Sequence, residues 1–140
     1  MAHSMFGRLF SGTRPRNLGL HDGTLAPCPT KPNCVSSTAT DRRHAIAPLT
    51  FTGDPDAALR TLQAVVVGLA RTRVITREPD YLYVECTSQL LGFVDDVEFA
   101  LDRQAKHLQV RSASRRGYSD LGVNRARIET IRAAFAAQQP

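Results

Sequence analysis

From residue 58 onward, apolar side chains recur at helical spacing. Ala58, Leu59, Leu62, Val65, Val66 and Leu69 form one stripe with polar groups between them. Asp54 and Pro55 stand just ahead of it. An aspartate can cap the unpaired N–H groups of a first turn, and a proline at the first helical position loses no bond that the helix would have made. The pattern predicts a helix ending near Arg71. Beyond it the period becomes twofold, and four segments read as strands: residues 73–77, 81–88, 95–102 and 107–114. In the second, Leu82, Val84 and Cys86 face one way and Tyr81, Tyr83, Glu85 and Thr87 the other. In the third, Val97, Phe99 and Leu101 share a face. In the fourth, Leu108 and Val110 oppose Gln109 and Arg111. The links are short, so neighbouring strands are antiparallel. A second helix begins near residues 120–123, with Ile128, Ile131 and Phe135 as its stripe and Asn124 on the same line. Two amphipathic helices can cover one face of such a sheet. The prediction is a two-layer α+β domain, an antiparallel sheet of about four strands with two helices packed on one face.

Chemistry supports one register for the last two strands. Pairing Leu101 with Leu108 across the turn at residues 103–106 also pairs Phe99 with Val110 and Glu98 with Arg111, apolar with apolar and acid with base. Asp96 then lies beside Glu98 on the outer face, with Glu85 on a neighbouring strand.

The N-terminal part carries no such pattern. Residues 1–24 are expected to be flexible or loosely docked. Met1 to Ser4 read as a tag remnant, and the apolar Met5, Phe6, Leu9 and Phe10 with Arg8 as a frayed end. Residues 25–138 form the single domain. Pro27, Pro29, Pro32 and Pro48 make residues 25–50 an extended, irregular wrap.

Composition narrows the function classes. The 140 residues are 42% hydrophobic, enough for one core, and the net charge is +5. The excess is nearly all arginine, which suits bidentate binding of carboxylate or phosphate. Aromatic residues are only 6% and tryptophan is absent, which disfavours a nucleic-acid binder that works by stacking. No apolar run approaches a transmembrane span, and the N-terminus does not read as an export signal. The expectation is a cytoplasmic monomer without a cofactor.

Three constellations are candidate sites. The first is the run 111–125, a strand-to-helix junction dense in polar groups: Arg111, Ser114, Arg115, Tyr118, Asp120, Asn124 and Arg125. Such a junction can aim backbone N–H groups and a helix dipole at a ligand. Gly117 permits a left-handed turn there, and Ser119 or Asp120 can cap the helix. The run is either a pocket for a small anion with Arg111, Arg115 and Arg125 as donors, or a polar clamp in which Asp120 and Asn124 hold the Arg115–Tyr118 turn and the arginines answer the outer carboxylates. The second is the acidic cluster Glu85, Asp96 and Glu98 with Arg111, either a salt-bridged sheet face or the acid–base set of a hydrolase. The third is Cys28 and Cys34. Reduced structural thiols rank first, a disulfide next, and a metal site last because zinc would need further ligands from His21, His44 or Cys86.

Two segments carry a family resemblance. One is Leu25-Ala26-Pro27-Cys28-Pro29 with Pro32-Asn33-Cys34-Val35-Ser36-Ser37. The other is Asp95-Asp96-Val97-Glu98-Phe99 with Arg111 to Arg115 and Gly117 to Arg125. Together they resemble the bacterial and plastid family catalogued as domain of unknown function 1499, over roughly residues 18–135. The resemblance implies no reaction, ligand or catalytic residue. The resulting expectation is a non-catalytic domain that binds a small anion or an acidic protein segment through the 111–125 junction. A hydrolase using Asp96, Glu98 and Arg111 is one alternative, and a thiol redox or metal-responsive module at Cys28 and Cys34 is the other.

Overall fold

The computed structural model describes residues 12–139; the expectations for Met1 to Phe10 lie outside the described residues. In chain order the elements are β1 (Leu20–His21), β2 (Thr24–Leu25), β3 (Cys34–Ser36), β4 (Leu49–Thr50), α1 (Pro55–Val67), β5 (Thr72–Glu78), β6 (Tyr81–Thr87), β7 (Val94–Asp102), β8 (His107–Ser114) and α2 (Val123–Ala137). The architecture is α+β, with an antiparallel sheet under two helices.

The sheet has six strands, ordered β3-β8-β7-β6-β5, with β4 also pairing β8; β1 and β2 form a separate hairpin. The expected four strands are its β5 to β8. The additions, β3 and β4, come from the proline-rich wrap. They are two or three residues long, too short to show a twofold period, and long-range pairing with β8 defines them. The register of β7 and β8 is the one read from the sequence: Leu101 opposite Leu108, Phe99 opposite Val110, Glu98 opposite Arg111.

Asp54 caps α1, its carboxylate accepting the Ala57 N–H at 3.0 Å, with Pro55 following. The helix stops at Val67, short of Arg71. The Gly68 N–H turns back to the Ala64 and Val65 carbonyls, and Arg71 adopts a left-handed φ of 55° that a helix cannot contain. Leu59, Leu62 and Val66 of α1, Ile128, Ile131 and Phe135 of α2, and Leu82, Val84, Val97, Phe99, Leu108 and Val110 of the sheet form the core between the layers. No helix among the described residues is long and apolar enough to cross a membrane.

The other sheet face is covered as well. Residues 14–27 run across it as a strap that carries the β1–β2 hairpin. Leu25 is buried there against Tyr81, Tyr83 and Ala100. Cys28 and Cys34 then join in a disulfide with an S–S distance of 2.02 Å, in place of the free thiols ranked first. The correction has a physical basis: Cys34 is fixed on β3 beside β8, and the strap returns Cys28 to within bonding reach of it. Cys86 stays a buried free thiol on the core face.

Candidate functional site

At the β8–α2 junction the core face turns polar, and Asn124 is the hub. It occupies the stripe position of α2 that points at β8 and is fully buried. Its Oδ1 accepts from Ser112 Oγ at 2.6 Å and from Arg127 Nη1 at 2.9 Å. Its Nδ2 donates to Asp120 Oδ2 at 2.7 Å, Ser114 Oγ at 2.9 Å and the Asn33 carbonyl at 3.2 Å. Asp120 also accepts from the backbone N–H of Gly122, the N-cap position of α2, and of Asn124 in its first turn. Burial pushes the Asp120 carboxyl up, but these donors outweigh it and hold it below the usual range. The turn is closed from outside by Asn33, whose Nδ2 donates to the Gly117 carbonyl at 3.0 Å. Gly117 has φ 91°, a conformation that glycine takes without a Cβ penalty. Nearby, Asp95 is paired with Arg127 at 2.7 Å. Burial raises the Asp95 carboxyl above its ordinary value despite that partner.

The outer face holds the acidic cluster, and the strap seals it. Glu98 is 0% and Asp96 1% exposed. Arg115 grips Asp96 through two nitrogens, Nε to Oδ2 at 3.1 Å and Nη2 to Oδ1 at 2.6 Å, and Nη2 also reaches Glu85 at 2.7 Å. Tyr83 donates to Asp96 at 2.5 Å, and Tyr81 to Glu98 at 2.5 Å. Burial, together with these carboxylates, moves both phenols well above their usual range. The strap completes the set. Arg14 donates to Glu85 at 2.8 Å and lies over the Tyr83 ring, and the Gly19 N–H donates to Glu98 at 2.7 Å. Burial raises the Glu85 carboxyl, while Arg115 and Arg14 lower it by more. Arg111 is buried too, donating to the Pro27 carbonyl at 3.2 Å, with Nη1 3.7 Å from Glu98. Its burial lowers its pKa against the pull of Glu98. The hydrolase alternative needs an open concavity here, and the strap occupies that position. Among the described residues no group of three or more His, Cys, Asp or Glu is placed to hold a metal ion.

The three arginines of the expected anion pocket therefore point in different directions. Arg111 and Arg115 go under the strap, while Arg125 donates to the Ala45 carbonyl at 2.8 Å and to the Arg43 carbonyl at 3.3 Å. Ser114, Asp120 and Asn124 do come together, in the clamp, and Tyr118 is 67% exposed. What the sequence reading missed lies between two loops. Residues 88–93, joining β6 to β7, and residues 115–122, joining β8 to α2, emerge from the same end of the sheet. A cleft of about 330 Å³ opens between them. Ser114, Asp120, Asp95 and Arg127 form its polar wall, and Phe93, Leu121 and Val123 contribute apolar surface. Around it stand Leu90, 86% exposed, Leu121, 93% exposed, Leu91 and Tyr118. One signal was available: residues 88–93, Ser-Gln-Leu-Leu-Gly-Phe, contain no charge in a chain that is 22% charged.

The family model described as "Protein of unknown function (DUF1499)" matches residues 24–135, most of the chain. The chain belongs to this family. No curated protein matches it. The DUF1499 span takes in the clamp, the disulfide, the outer-face carboxylates and both loops. Arg14 and Gly19 of the strap precede it.

Proposed function

We propose that this DUF1499 domain is a non-catalytic binding domain whose working surface is the end of the sheet where residues 88–93 and 115–123 meet. The observation that carries the reading is the clustering of solvent-facing apolar side chains at that end. Leu90, Leu91, Phe93, Tyr118, Leu121 and Val123 all stand on the two loops or the first residue of α2. Contiguous apolar surface costs solubility, and monomeric proteins keep it where something binds. The clamp beneath is suited to support: a buried network in which every polar atom of the Asn124 amide is bonded fixes the loop ends on rigid elements. The cleft's cationic groups, Arg116 at the rim and Arg127 in the wall, keep an anionic ligand group or an acidic segment within the reading. Among the described residues no side chains of the cleft combine a nucleophile with a base and an orienting group, so the reading is not extended to catalysis.

The Cys28–Cys34 disulfide supports placing the domain in an oxidising compartment. A disulfide of this kind persists where the surroundings are oxidising, and cytoplasmic placement goes with the reduced pair.

A photoreactive benzophenone side chain at Leu121, activated in intact cells, tests the reading. Adducts are expected at Leu121 and absent at Gln104, an exposed position in the turn between β7 and β8 at the opposite end of the sheet. Equal adducts at both positions, or none at either, would contradict it.

A further inference from the structure

We infer that the loop end docks on an anionic lipid surface, its apolar tips entering the headgroup layer and its arginines meeting the lipid charges. This rests on the reading above and names the occupant of that site. The two most exposed large apolar side chains among the described residues are the tip leucines, Leu90 and Leu121, one on each loop. Leu90 stands off the surface, and Leu121, at the mouth of the cleft, keeps nearly all of its surface in solvent. A deformable lipid interface accepts such side chains without a complementary mould, whereas a protein interface requires one. Tyr118, exposed beside them, has the amphipathic ring favoured at the headgroup level.

Charge points the same way. Residues 88–93 carry none. The carboxylates of this end line the cleft with their charges already engaged: Asp95 is paired with Arg127, and Asp120 accepts from the Asn124 amide and from the Gly122 and Asn124 N–H groups. The exposed charges at the start of β5 are basic: Arg71, whose carbonyl accepts the Thr87 N–H, and Arg73, which is 76% exposed while 3.9 Å from Glu85. The whole chain carries +5. An apolar tip ringed by cations complements an anionic bilayer, where each basic group near the surface adds attraction that salt screens. An acidic protein groove would also meet the cations, but not the free-standing leucines.

Flotation of the purified full chain with vesicles tests the inference. Vesicles of phosphatidylcholine with phosphatidylserine are compared with phosphatidylcholine alone, for the wild type and for the Leu90→Ser/Leu121→Ser variant. The wild type is expected to float with the anionic vesicles and to bind the neutral ones roughly tenfold less. The variant, which alters only exposed positions, is expected to keep the wild-type melting curve and lose about tenfold in binding. A wild type that floats with neither vesicle, or a folded variant that floats as well as the wild type, would overturn lipid docking. So would photo-adducts at Leu121 that consist of protein and no lipid, an outcome that leaves the binding surface itself intact.

Discussion

Asn124 shows what one polar residue on an apolar stripe accomplishes. Every polar atom of its amide is bonded, to β8, to Asp120, to Arg127 or to the Asn33 backbone. Removing it leaves several buried groups without partners, each costing about 1–3 kcal/mol. Asn124→Ala is therefore expected to lower stability by about 3 kcal/mol in urea unfolding. An exposed polar residue would cost far less. The carboxylates of the two networks respond to pH with opposite signs. Glu85 and Asp120 are held below the usual range, so they add stability above the unfolded carboxylate values and lose it as the pH falls through their folded ones. Asp95 is raised; its contribution is present at low pH and declines as the pH climbs through its folded value. Carboxyl NMR titration is expected to place Asp95 above, and Glu85 and Asp120 below, the ordinary range. At this scale the sequence was half legible. The Asn124 position and the Gly117 turn are local and could be read; the N-cap falls on Gly122 and not on Ser119 or Asp120, although Asp120 still accepts N–H groups of the helix start. The clamp reading had the arginines answering the outer carboxylates, as Arg115 and Arg111 do; the carbonyl partners at Pro27 and Ala45 could not be read, because they come from chain segments brought together only by folding.

Among the elements, the strap converts a solvent-facing sheet surface into a second buried layer. Leu25 anchors it apolarly, and Arg14, Gly19 and Pro27 anchor it to Glu85, Glu98 and Arg111. Leu25→Ala is expected to cost about 2–3 kcal/mol and to speed amide exchange in residues 14–25. The Cys28–Cys34 bond closes a short loop at the strap's end. Loop-closure entropy gives it about 2 kcal/mol, to be seen as the drop in urea-unfolding stability on reduction. Alkylation of the denatured, unreduced protein is expected to label Cys86 alone; labelling of all three cysteines would return the pair to the reduced state. The long elements were legible because periodicity is a local property: β5 to β8, both helix stripes and the β7–β8 register follow from it. The strap and strands β1 to β4 were not. Two or three residues among prolines carry no period, and the Gly19–Glu98 bond spans most of the chain.

For the molecule as a whole, the two polar networks are occupied with holding the chain together, and the apolar loop end is left facing solvent. The leucine tips touch nothing that folding needs, so Leu90→Ser and Leu121→Ser are each expected to change stability by less than about 0.5 kcal/mol. That separation of stability from binding is the central claim. Hydrogen-exchange mass spectrometry of the intact protein, alone and then mixed with a total extract of its own cells, membranes included, tests it most directly. The account predicts new protection confined to residues 88–93 and 115–123, with the strap at residues 14–27 unchanged. Protection or opening at the strap and the outer strands, with the loop end unaffected, would contradict it.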